Sequence, residues 1–271
     1  MRVRRPAVAG SFYPASEREL SAMLERLCAR AAPPEKAVGA IAPHAGYVFS
    51  GGLAGAVWSR VVVPRTVLLL GPNHTGMGAP FAVWDRGAWL TPLGAVEVDA
   101  ALAEEILDTV PLLERDYRAH TAEHSIEVHL PFLQHFNPDV KIVPVCISHA
   151  GKDELIGMGE ELGSLLAGRT GEVLVGASTD MTHFRPAETA ARLDAPALEA
   201  VAALDAEGLY DYVVGNRVSM CGVMPVTVLL AAAVRMGAER AENVGYTHSG
   251  MVTGDHSDVV AYAGFVIRGG E

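Results

Sequence analysis

The chain is poor in cysteine: three thiols, Cys28, Cys146 and Cys221, stand far apart in 271 residues. So few and so scattered, they exclude a disulfide framework and favour a reduced, cytoplasmic setting. Positive charge is also short. Lys and Arg number 21 against 32 Asp and Glu, a formal net charge of −11. That balance argues against nucleic acid or an anionic membrane as the main partner, since both call for a basic face. No run of about 18 uninterrupted apolar residues occurs, so nothing is expected to span a bilayer. The N-terminal MRVRRPAVAGSFYP is basic but holds no apolar stretch of signal-peptide length before Pro14. Repeats, low-complexity tracts and long polar linkers are missing as well, and the expectation is a single domain over residues 1–271.

What is present is ample core. Half of the residues are hydrophobic and they are spread along the chain. Five β-branched apolar runs stand out: VGAIA (38–42), RTVLLLG (65–71), VKIVPVCIS (140–148), EVLVGAS (172–178) and DVVAYAGFVI (258–267). They are continuously apolar rather than alternating, as strands covered on both faces must be. Helical patterns fall between them at 16–31, 51–62, 99–110, 152–168, 188–204 and 222–236. The alternation predicts an α/β fold with a mostly parallel central sheet flanked by helices. FAVWD (81–85) and AVEVD (95–99) read as a side hairpin.

Polar residues gather where these strands end. His44 follows the first run in PHAGY, His74 follows the second in GPNHTG, and Asp180 and His183 follow the fourth in STDMTHF. Ligands of open α/β sheets bind beyond the carboxyl ends of the strands. A lone histidine there is most simply a loop residue bonded to backbone. Two in equivalent places point to joint work, and neutral imidazoles suit iron, zinc or copper. A third ligand is then required, and the candidates are Cys221, Asp180, Glu123 and Asp255. Cys221 precedes an expected helix, whose N-terminus would lower the thiol pKa; the plain alternative is a small buried apolar residue. Asp180 and His183 are too close in sequence for a Ser-His-Asp triad and read as one loop, one residue orienting a partner and the other facing a substrate. In AEHSIEVHLPF (122–132), Glu123 and Glu127 would share a helix face, and Pro131 would kink that helix or begin another.

Together these stretches resemble the Memo family, which is similar in fold to the class III extradiol dioxygenases of the non-heme iron type. RPAVAGSFYP (5–14), APHAGYVFSGG (42–52), LLGPNHTG (69–76), TPLGAVEVD (91–99), EHSIEVHLPFL (123–133), STDMTHF (178–184), MCGVMPV (220–226) and the terminal VVAYAGFVI carry the resemblance in order. It implies a vestibule at the ligand-binding edge of the sheet. His44 and His74 would take the two histidine ligand places, and Cys221 the place of the dioxygenase glutamate. His183 would stand where those enzymes keep an acid/base histidine, with Asp180, Glu123 and His124 beside it. A thiolate in place of the carboxylate argues against dioxygenase activity and leaves metal binding, iron before copper or zinc. Animal relatives carry two adjacent histidines where this chain has His74-Thr75; if the second is the ligand there, His74 is a non-equivalent residue. The resemblance also implies partners, a radical-SAM enzyme and an Ammecr-type protein. Two further readings stay open: a non-catalytic vestibule that binds a peptide or small molecule, and a metal-free enzyme with Cys221 as nucleophile.

Overall fold

The computed structural model describes residues 2–28 and 33–270. Its strands are β1 (Val3–Arg4), β2 (Gly39–Ala42), β3 (Thr66–Pro72), β4 (Phe81–Val83), β5 (Ala88–Thr91), β6 (Gly94–Val98), β7 (Glu114–Arg115), β8 (Lys141–Ile147), β9 (Val173–Ser178), β10 (His183–Arg185), β11 (Ala238–His248) and β12 (Val259–Gly269). Along the main path of the sheet the order is β1-β5-β6-β8-β3-β9-β2-β12-β10. The centre, β6-β8-β3-β9-β2, is parallel throughout. Antiparallel pairing begins at β12, which bonds β2, β10 and β11.

All five expected strands and all six expected helices are present, with ends shifted by a few residues. The first helix is Glu17–Leu27, and the remainder of its expected span, 29–31, lies outside the described residues. Two apolar clusters explain why the central runs do not alternate. Val67 and Leu69 of β3 join one cluster with residues of the helices Glu17–Leu27, Tyr47–Ser59 and Leu130–Phe136. Leu68 and Leu70 join the other, with residues of the helices Ala100–Thr109, Lys152–Leu166 and Val223–Arg235. Each face of the sheet has its own core, so every side chain of β3 is buried.

The expected side hairpin is paired differently. β5 and β6 form the antiparallel hairpin, while β4 leaves it to pair with β8 and β7. The alternation in AVEVD marked a strand but could not name its partner. The long strand β11 was not anticipated. Its burial is intermittent, with Glu239, Arg240, Glu242 and Asn243 exposed and the rest half-buried, because it lies at the outer side of β12.

Candidate metal centre

β9 lies between β3 and β2, all three parallel, so their carboxyl ends open onto the same place. His44 stands two residues beyond β2, His74 two beyond β3 and Asp180 two beyond β9. Cys221 comes from a different direction, immediately before Gly222, the N-cap of the helix Val223–Arg235. Gly222 is required for that approach: a Cβ there would stand 2.2 Å from the Ser178 carbonyl oxygen and 2.4 Å from Thr179 Cβ. With no side chain, the helix start abuts the end of β9 and Cys221 reaches the strand tips.

The ligand atoms of His44, His74 and Cys221 all lie within 4.8 Å of one another. His44 Nε2 is 3.2 Å from Cys221 Sγ, and the His44 and His74 ring centres are 5.1 Å apart. His74, rather than a neighbour, therefore stands with the other two. His74, Glu123 and His124 make a second such group, sharing His74 with the first.

Hydrogen bonding determines which ring nitrogens are free. The Trp58 indole N–H donates to His129 Nδ1 at 3.4 Å. Burial holds the His129 pKa down to about 3, so the ring is neutral and carries its proton on Nε2. That nitrogen donates to Ser178 Oγ, 2.9 Å away. Ser178 has one hydrogen, and it goes to the Ser125 carbonyl oxygen at 2.6 Å, which can only accept. His44 Nδ1, 2.6 Å from the same Oγ, must then be a donor. Burial first, then the neighbouring His124, His74, His129 and His183, pushes the His44 pKa well below its ordinary value. A neutral ring with its proton on Nδ1 presents an Nε2 lone pair toward Cys221.

Glu123 does the equivalent for His74. Its Oε1 is 2.8 Å from His74 Nδ1, and its Oε2 accepts the His74 backbone N–H at 2.6 Å. The backbone N–H groups of His124 and Ser125 also donate to Oε1, both at 3.0 Å. Burial would raise this carboxyl, but the His74 hydrogen bond and charge and the backbone donors outweigh it and bring the pKa to about 2. An ionised acceptor holds a proton on His74 Nδ1, so that when the ring is neutral its lone pair lies on Nε2. This is the carboxylate–histidine arrangement that commonly stands behind a metal ligand.

Asp180 is buried, accepts the His44 backbone N–H at 2.8 Å and donates its own backbone N–H to Cys221 Sγ at 3.2 Å. Burial raises its pKa to about 7. The thiol departs from the sequence expectation of a lowered pKa. Enclosure and the Asp180 carboxyl push Cys221 up, and this exceeds the help from the Asp180 N–H and Thr179. His124 stacks on His74, ring centres 4.8 Å apart, and Phe12 packs against it in a tilted arrangement, also at 4.8 Å. His183 anchors to Ser219 through its backbone N–H and ring and lines a neighbouring cavity. Asp255 is exposed, bonds Ser257 and belongs to neither donor group.

The shared helix face expected for Glu123 and Glu127 does not form. Glu123 lies in a loop, Glu127 opens a short 3-10 turn, and Pro131 begins the separate helix Leu130–Phe136. Glu127 instead meets Arg4 at 2.6 Å and accepts from Tyr13 at 2.6 Å and from the Ala7 and Val8 N–H groups. Arg4 also donates to the His120 and Glu123 carbonyls. The N-terminal motif thus clamps the segment that carries Glu123 and His124. Ser178, Ser125 and His129, which set the His44 tautomer, escaped the sequence reading because a buried hydroxyl and a mid-segment histidine look like ordinary core.

Beside the donor cluster opens a cavity of about 510 Å³, lined by His74 and Cys221 together with Ile147, Val218, Met220 and Met224. Two imidazoles and a thiol are a borderline-to-soft set, which suits iron, copper or zinc better than magnesium or calcium.

The family model described as "Memo-like protein" matches residues 4–266. Among curated relatives, a MEMO1 family protein of Aquifex aeolicus is 42% identical over 269 residues, 98% of this chain and 99% of that one. One from Archaeoglobus fulgidus is 43% identical, covering 98% of this chain and 100% of its own. One from Methanosarcina acetivorans is 39% identical, over 99% and 100% respectively. Among solved structures, an uncharacterized protein from Escherichia coli K12 is similar in fold, with a TM-score of 0.51 at 14% identity over 83% of this chain and 98% of that one. By a match that runs nearly from end to end, this chain belongs to the Memo family.

Proposed function

We propose that this protein holds one transition-metal ion through His44, His74 and Cys221, iron first and copper or zinc as alternatives, beside a cavity that takes a small organic ligand. The observation that carries the reading is the convergence of three donors within 4.8 Å, both imidazoles being committed at Nδ1 to protein acceptors. A bound ion would supply Lewis acidity or redox chemistry and would deprotonate the thiol on coordination. The chain's own residues do the rest. Ser178 and Glu123 orient the two rings and the Asp180 N–H supports a thiolate, while the exposed His74 and half-buried Cys221 leave the centre open to the cavity. His183 and Asp180 are the acid/base groups of this reading, and Glu123 and His124 shape the pocket. A redox or oxygenase-like reaction, in company with a radical-SAM enzyme and an Ammecr-type protein, is part of the proposal on family resemblance alone. The test is metal content after anaerobic purification, wild type against His44→Ala. Near-stoichiometric metal in the wild type and its loss in the variant are expected; full retention by His44→Ala would overturn the reading.

The 3.2 Å contact between Cys221 Sγ and His44 Nε2 also favours a second reading, a thiol–imidazole dyad. The raised thiol pKa argues against it. Rapid, acid-shifted alkylation of Cys221 in metal-free protein, compared with Cys28 and Cys146, would revive it.

A further inference from the structure

We infer that the cavity beside His74 and Cys221 binds a small organic anion, an apolar body carrying a carboxylate, with Arg217 as the group that recognises the charge. This deepens the reading above, on which its closeness to a reacting centre rests.

Three observations converge on Arg217. The first is backbone. The helix Ala206–Gly215 ends with Asn216 as its C-cap, and Arg217 follows with φ +54°. Val218 N–H bonds the Val213 carbonyl and Arg217 N–H bonds the Val214 carbonyl, at 2.9 and 3.2 Å. That pair of bonds defines a Schellman ending, whose left-handed residue is usually glycine because a Cβ is strained there. Here the strained place carries the longest cationic side chain, and the termination itself gives no reason for an arginine.

The second is pairing. Several basic side chains have a carboxylate partner, as Arg60, Arg115, Arg169 and Arg235 do, and what sets Arg217 apart is that it is unpaired while lining a cavity. Among the described residues Arg217 has no ion pair and no side-chain hydrogen bond, and neither does Arg185. Both line a second cavity of about 330 Å³, which shares Arg217, Val218 and Ser219 with the first.

The third is charge pattern. In a chain of net charge −11, no Asp or Glu among the described residues lines either cavity. Against an acidic surface, a cleft whose lining includes an exposed, unpaired arginine and no described carboxylate attracts and retains anions. The inner wall is apolar, formed by Ile147, Val218, Met220, Val223 and Met224. A volume of about 510 Å³ is that of a small-molecule site. A carboxylate would bond the guanidinium fork, and its apolar body would lie along this wall toward His74 and Cys221.

Octanoate and octanamide, matched in shape and differing in charge, serve as probes in calorimetry or ligand-observed NMR. Octanoate should bind the wild type roughly tenfold more tightly than octanamide, the increment of a charged over a neutral hydrogen-bonding partner. Arg217→Gln should abolish that preference, leave octanamide binding unchanged and retain the metal content of the wild type. Arg217→Gly should abolish it too, with an unchanged or higher Tm because the left-handed strain is relieved. His44→Ala should keep the preference, so failure of the metal proposal and failure of this one are separately visible. Equal binding of the two probes by the wild type, or an undiminished preference in Arg217→Gln, overturns the inference. So does a preference that vanishes on metal removal while Arg217→Gln keeps it, since the carboxylate would then be bound by the metal.

Discussion

Replacing Ser178 with alanine is the sharpest perturbation of the candidate centre, because the side chain touches no proposed ligand atom. Its hydroxyl accepts from His129 Nε2 and His44 Nδ1 and donates to the Ser125 carbonyl, at 2.9, 2.6 and 2.6 Å. Ser178→Ala leaves those three buried groups without their partner. At roughly 1 kcal/mol or more for each, the fold should lose about 3 kcal/mol, a fall in Tm of roughly 6 °C or more for a chain of this size. The effect on metal is separate. Without the hydroxyl, His44 is free to carry its proton on Nε2, where the lone pair is needed, and to rotate. Loss of such a supporting partner typically weakens metal affinity about 10- to 100-fold. Competition against a chromogenic chelator measures the affinity, and imidazole nitrogen NMR on metal-free protein reads the tautomer directly. Wild-type His44 should be protonated at Nδ1 and bare at Nε2; Ser178→Thr, which keeps a hydroxyl, should stay close to wild type in tautomer. A wild-type ring protonated at Nε2, or an Ser178→Ala variant of unchanged affinity, would refute the proton count from which all of this follows.

Glu123→Gln removes the ionised acceptor behind His74 and should likewise weaken metal binding about 10- to 100-fold, read by the same chelator competition, with less effect on His44. Arg4→Met leaves the Glu127 carboxylate buried without its cation and should cost about 3–5 kcal/mol in denaturant titration; adding Glu127→Gln should recover part of the loss. Acid stability follows from His120 and His129, whose pKa values burial lowers to about 3. Unfolded, each takes a proton near its ordinary value of about 6.5, whereas the native state does not until about pH 3. Stability should therefore fall as pH drops from about 6.5 towards 3, by up to roughly 2–3 kcal/mol for each ring at pH 4.5. His120→Gln should flatten that slope in urea titrations at pH 7, 5.5 and 4.5, and an identical slope would contradict the assignment.

The central strands were readable because burial on both faces leaves an unbroken apolar run, a signal that one segment carries by itself. Pairing is not such a signal. FAV and GAVEV were both visible as strands, yet β4 chose β8 and left β6 to β5, a decision made by the rest of the sheet. The same division runs through the candidate site. His44 and His74 announce themselves because turn residues follow apolar runs, and parallel neighbours must deliver their ends together. Cys221 could be joined to them only by resemblance, since its position depends on a glycine that lets a helix start touch the end of β9. Ser178 and His129 carry no local mark at all. A serine ending a strand and a histidine in an apolar segment become significant only when four donors and acceptors from distant parts of the chain are counted together. Arg217 belongs to the same class. Its lack of a partner is a fact of three dimensions, and so is its left-handed backbone, since Gly215-Asn216 by itself offers a more ordinary place for the helix to end. Residues at which a local backbone preference is overridden are where function is best sought, and of the three described non-glycine residues at positive φ, Phe184, Leu204 and Arg217, two line the cavities beside the histidines.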